Sequence, residues 1–422
     1  MKKRFLSTLA VAISLSAMTA CQQEEAVEQP VKTEVVAQVE VADKPVDYSA
    51  KAVEISKKYL IADTHVDVPH RLLEKYEDVS VATEGGDFDY PRAVKGGLDA
   101  PFMSIYTPAD LEKKDGSKEQ AEQLIDMVEK MVADAPDKFA LAMSPGDLLR
   151  NFRQGLMSLP MGMENGSPLE GDLANVEYFF DRGIRYITLA HSLSNHLSDS
   201  SYDEARPNDG LSDFGREVVK EMNRLGMMVD VSHLSDKAFY DVLEVSEVPV
   251  IASHSSARHY TPGFERNMSD EMIKALAEKG GVIFINFGST FVSQASRDNY
   301  DAYKEARQKF MEENGVTAEH ESVMNFTKQY REEKPFEFAD LEIVLDHFDH
   351  VIKLVGVDYV GIGSDYDGVG DSLPTGLKDV ATYPNLIEGL LVRGYSEEEI
   401  AKILSGNLLR VWTQVENHAQ QQ

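Results

Sequence analysis

Six short apolar runs in this chain each stop on a residue that can bind a metal or move a proton. They are YLIADTH, which ends at His65 and is followed by Asp67, LMSLPMGME at Glu164, IRYITLAH at His191, MMVDVSH at His233, VPVIASH at His254 and YVGIGSD at Asp365. Folding alone gives a buried β-branched run no reason to end on His, Asp or Glu. A barrel of parallel strands does, because its active site is assembled from the C-terminal ends of different strands. The pattern points to a metal-dependent enzyme.

Helical stretches alternate with the strand-like runs, as a parallel α/β fold requires. Eight strands are expected, at about 59–66, 100–106, 156–163, 184–191, 226–232, 248–253, 281–287 and 359–364. Leu211–Leu225, Ser235–Val245 and Ser269–Lys279 read as intervening helices with serine caps at Ser212, Ser235 and Ser269. Eight strand–helix units favour a (β/α)8 TIM-type barrel over an open sheet. The seventh connection, about 288–358, is a long insertion. It would cover the site or contact a second copy in a homodimer; a solvated decoration is the competing reading. Residues 384–415 read as closing helices.

The N-terminus precedes this fold. Lys2, Lys3 and Arg4 lead an apolar, small-residue stretch to Ala20, the pattern of a signal peptide over 1–20. Cys21, the sole cysteine, follows Met18-Thr19-Ala20 and has the form of a bacterial lipid-attachment site. Residues 21–50 carry little to bury and read as a disordered tether, with the barrel over 51–418 and a short tail over 419–422. A lipoprotein of the cell envelope is expected, anchored to the outer membrane and facing the periplasm. The formal net charge of −30 repels nucleic acid and anionic lipid, so neither is an expected partner.

His65 and Asp67 are two apart, so on a strand both point to one face. A structural histidine and a helix-capping aspartate would give the same pattern. His233 and His254 end consecutive strands, which are neighbours in a barrel, and converging imidazoles suit zinc. Glu164 adds a carboxylate in an apolar Met-rich setting, where burial is costly without a cation. A catalytic zinc takes three protein ligands, so five residues suit two ions with Glu164 shared and a bridging hydroxide as nucleophile. Asp365 can pass a proton from that water to the leaving group. Its alternatives are a further ligand or a turn in which Asp367 matters more. His191 is a candidate to stabilise an oxyanion, or else a core histidine satisfied by Ser192 or Asn195. Arg258 and Arg266 are candidates to hold a substrate carboxylate.

These residues stand in motifs that resemble the membrane (renal-type) dipeptidase family of zinc peptidases. DTHVDVP, GMENG, RYITLAHSLSN, GMMVDVSHLS, PVIASHSSAR, RNMSDEMI and GIGSDYDG occur in the family's order, within a resemblance spanning about 61–415. The resemblance implies a (β/α)8 barrel with two zinc ions that hydrolyses dipeptides, including those with a C-terminal D-residue. It implies His65 and Asp67 on one zinc, His233 and His254 on the other, and Glu164 between them. It further implies His191 beside the substrate, Asp365 as acid/base and Arg266 on the terminal carboxylate. Thr64 and Ser364 depart from the glycines common in the family and are expected to border the pocket. A related amidohydrolase acting on N-acyl amino acids, lactones or cyclic amides is the alternative. A non-catalytic binding lipoprotein predicts an incomplete ligand set.

Overall fold

In the computed structural model, residues 47–114 and 116–422 are described. The signal, most of the tether and Cys21 lie outside them. A helix already begins at Ser49, just inside the expected tether. Among the described residues no helix is long and apolar enough to cross a membrane.

Among the described residues ten strands form, at Ile61–Val66 (β1), Leu98–Tyr106 (β2), Phe139–Leu141 (β3), Met157–Leu159 (β4), Met161–Glu164 (β5), Ile184–Thr188 (β6), Met228–Asp230 (β7), Ile251–Ser255 (β8), Val282–Ile285 (β9) and Val360–Ile362 (β10). Eight of them make one parallel sheet in the order β1-β2-β5-β6-β7-β8-β9-β10. A parallel bridge between Val66 and Tyr366 joins the last strand region to the first. The Asp365 N–H donates to the His65 carbonyl (3.1 Å), and the Asp67 N–H to the Tyr366 carbonyl (2.9 Å). The expected (β/α)8 barrel is therefore present.

One expected strand divides. The run 156–163 breaks at Pro160, which has no N–H for a ladder. Met157–Leu159 pairs with Phe139–Leu141 in a separate two-stranded sheet, and only Met161–Glu164 enters the barrel. Register then sets Tyr106 beside Glu164, Glu164 beside Thr188 and Thr188 beside Asp230. The strand ends thus share one level.

The helices start where serine side chains offer an acceptor. Ser212 accepts from the Gly215 N–H, Ser235 from Ala238 and Ser269 from Met272, each cap contributing about 1 kcal/mol. Between β9 and β10 the long insertion forms helices Ser289–Val292, Gln294–Asn314, Glu321–Glu333 and Leu341–Val355. Its hairpin is amply solvated, with only Ser296 and Val323 buried in the two middle helices. Its root packs on the loop after β8, where Arg297 lies 3.4 Å over the Phe264 ring.

The base of the barrel is apolar. Phe102, Tyr186, Phe284 and Trp412 are buried there with Leu60, Ile251 and Val282. Trp412 comes from the closing helix Asn407–Ala419 and packs against Phe102 at 5.5 Å between ring centroids. Gly162 makes room for this packing, since a Cβ there would lie 1.9 Å from the Tyr186 ring.

Candidate metal centre

The strand ends bring His65, Asp67, Glu164, His191, His233, His254 and Asp365 to one buried cluster. Groups of their ligand atoms lie within 4.8 Å of one another: His65, Glu164 and His254; Glu164, His191 and His233; His65, Asp67 and Asp365. Glu164 is central. Its Oε2 lies 3.5 Å from His65 Nε2, while its Oε1 lies 3.1 Å from His233 Nε2 and 3.2 Å from His254 Nε2.

The donors fit cations better than they fit one another. His65 Nε2 is buried without a hydrogen-bond partner. The Nε2 atoms of His233 and His254 face each other at 2.9 Å. Asp67 occupies a helix N-cap position, yet its carboxylate makes no cap bond. The capping alternative for Asp67 is thereby removed. An unpaired buried polar group costs about 1–3 kcal/mol, and a cation would satisfy several here at once.

Backbone conformation aims two of these groups. His233 and Asp365 both adopt left-handed φ angles, +67° and +65°, at a cost of order 1–3 kcal/mol each. Gly368 sits where a Cβ would fall 2.2 Å from Asp67 Oδ2 and 2.3 Å from Asp365 Oδ1. Only glycine leaves both carboxylates in place.

Electrostatics divide the carboxylates. Burial would raise the Glu164 pKa, but His65, His191, His233 and His254 together hold it well below the usual range. Burial, then the charges of Asp67 and Glu164, push Asp365 up to about 8. Burial also lowers His233 and His254, with Arg266 adding to the effect, so both rings favour the neutral form that binds metal.

His191 stands apart from the tighter set. Its Nε2 is 3.6 Å from Glu164 Oε1, and its side chain keeps 21% exposure against 0–7% for His65, Asp67, Glu164, His233 and His254. Its Nδ1 has no partner, and Asn195 bonds instead to Asn165 and the Leu189 carbonyl. The core-histidine alternative fails on this point. Arg266 is buried beside the cluster. It donates to Ser255 Oγ (2.9 Å) and the His254 carbonyl (2.7 Å), and lies 3.0 Å from His233 Nε2. Arg258 is elsewhere, paired through both terminal nitrogens with Asp236. Asp367 is also elsewhere. It exchanges hydrogen bonds with Asp87 and lies 3.2 Å from Arg71, so it fastens two loops together.

Thr64 and Ser364, next in sequence to His65 and Asp365, are fully buried. The Thr64 hydroxyl donates to the Ile362 carbonyl (3.1 Å), across the closure of the barrel.

Three further residues orient these groups, and two of them, Tyr186 and Ser253, carried no signal in the sequence pattern. Tyr186 Oη sits 2.9 Å from His65 Nδ1 and donates to the Thr64 carbonyl. Ser253 Oγ lies 2.8 Å from His254 Nδ1 and donates to Asp230 Oδ2 (2.6 Å). Asn286 Nδ2 donates to Asp365 Oδ2 (2.6 Å). Partners on the far nitrogen fix ring orientation and raise ligand basicity. Asn286 was findable, because it follows directly on β9, whose run carries no ionisable end.

A family model for membrane dipeptidases, peptidase family M19, matches residues 49–422. The chain belongs to the membrane dipeptidase family. It is 34% identical over 375 residues to dipeptidase 3 of Mus musculus, an alignment covering 87% of this chain and 66% of that one. The chain therefore spans just under two thirds of that relative. Among solved structures, it resembles the probable dipeptidase PvdM from Pseudomonas aeruginosa at 27% identity and a TM-score of 0.75, covering 88% of this chain and 98% of that one. A metallo peptidase from Rhodobacter sphaeroides, liganded with a phosphinate mimic of the dipeptide L-Ala-D-Ala, is similar at 25% identity and a TM-score of 0.68, covering 85% and 99%. The M19 family fits the buried donor set described above.

Proposed function

We propose that this chain is a dinuclear zinc dipeptidase that accepts a C-terminal D-residue. The observation that carries the reading is the split of Glu164, with one oxygen toward His65 and the other toward His233 and His254. A carboxylate so placed suits a bridge between two ions. His65 and Asp67 would hold one ion and His233 and His254 the other. Bound zinc would supply Lewis-acid activation of a water and of the scissile carbonyl.

The remaining work falls to the chain's own groups. Asp365, held by Asn286, takes the proton of the attacking water and delivers it to the leaving amine. Burial and the neighbouring carboxylates raise its pKa, a direction that helps it hold the proton between the two transfers. His191, on the more open side of the cluster, donates to the developing oxyanion. Arg266 holds the terminal carboxylate. The dipeptide mimic bound by the Rhodobacter relative supports a D-residue at that position.

The test is a substrate panel on zinc-loaded protein. Dipeptides ending in L- or D-residues should be cleaved, and their C-terminal amides should be poor substrates. Turnover of lactones or cyclic amides with none of dipeptides would overturn the reading in favour of another amidohydrolase.

A further inference from the structure

A second His/carboxylate group lies outside the barrel mouth. His259, Asp270 and His350 each offer a ligand atom, and these atoms lie within 4.8 Å of one another. They come from three elements: the short turn Arg258–Tyr260 after β8, the first turn of helix Asp270–Glu278, and helix Leu341–Val355. His350 Nε2 lies 2.7 Å from Asp270 Oδ1. The rings of His259 and His350 stack at 4.3 Å and 20°.

The frame around this group is rigid. His347, one turn before His350, is fully buried and has both nitrogens engaged. Its Nδ1 accepts from the Ala257 N–H (3.1 Å) and its Nε2 donates to the Val292 carbonyl (2.9 Å). The Tyr260 hydroxyl donates to the Asp346 carbonyl (3.1 Å). The turn bearing His259 is thus fastened to the helix bearing His350 without using either of those rings. His259 itself is exposed, so an ion can enter from solvent.

We propose that His259, Asp270 and His350 form a peripheral site for a divalent first-row transition metal. Two imidazoles and one carboxylate suit Zn2+, Ni2+ or Cu2+ and do not suit Mg2+ or Ca2+. Three protein ligands leave a position for solvent. The same loop carries Arg266, and its Arg258 N–H and Met268 N–H hydrogen bonds close it on itself. A bound ion therefore clamps the loop that bears Arg266 to the helix that ends the insertion. The proposal does not depend on which bond the barrel mouth cleaves.

Zn2+ is the probe. Full-length protein is saturated with zinc, dialysed to retain only tightly held ions, and titrated calorimetrically with Zn2+. Wild type should bind one further equivalent and melt at a higher temperature as it does so. His259→Ala and His350→Ala should each lose that equivalent and the melting shift, while the tightly held zinc measured by mass spectrometry stays unchanged. Asp270→Asn, which preserves shape, should weaken the same event. Circular dichroism before titration separates loss of a site from loss of fold. Equal zinc uptake by wild type and all three variants, or no uptake by wild type beyond the tightly held ions, would overturn the proposal.

Discussion

The two ends of the barrel's strands meet opposite physical demands. At the C-terminal ends, buried carboxylates and imidazoles crowd together, two of them on left-handed backbone, and Asp365 is driven up to about 8 by burial and like charge. At the base, Phe102, Tyr186, Phe284 and Trp412 pack without charge. The mouth opposes folding unless ions fill it, and the base supplies the apolar burial that holds it in shape. One residue belongs to both. Tyr186 packs its ring against Phe102 at 5.6 Å and places its hydroxyl 2.9 Å from His65.

Removing a side chain from the base gives the largest effect. Trp412→Ala should cost about 3–5 kcal/mol of stability, read from urea unfolding. The folded fraction should keep its metal and its turnover. Metal loss in step with stability would break the separation between base and mouth. Tyr186→Phe is next, because it keeps the ring and deletes the hydroxyl. Zinc affinity should fall about 10–100-fold, measured by competition with a chelator, with stability changed by about 1 kcal/mol. Unchanged affinity would show that the base does not orient His65.

A pH-dependent effect concerns Asp99, at the start of β2, which accepts the Ile61 N–H at 2.9 Å. Burial pushes it up to about 7. The folded chain therefore holds this proton more tightly than the unfolded chain, whose carboxyl titrates near about 4. Its contribution to stability is present below pH about 4, falls as pH rises, and levels off above about 7. Asp99→Asn should flatten that part of the stability–pH curve, and an unaltered slope would place the titration elsewhere.

The barrel and the ionisable cluster were legible because both follow strand period and strand ends. A residue two past His65 faces the same way, and the ends of neighbouring strands meet. The groups that orient His65 and His254 were not legible. Tyr186 lies inside its strand, and Ser253 and Asp230 reach His254 only through pairing across β7 and β8. The break at Pro160 was visible in principle, since proline cannot donate to a ladder. Asp365 and Asp367 stand two apart on similar left-handed backbone, and only the fold shows one facing Asn286 and the other facing Asp87.

In the proposed mechanism the mouth holds two zinc ions and Asp365 moves the proton there. Asp365→Asn tests it in one preparation, by measuring zinc per chain and dipeptide turnover together. The variant should retain two zinc ions and lose about 10²–10⁴-fold in kcat. Two zinc ions with unchanged kcat would contradict that mechanism.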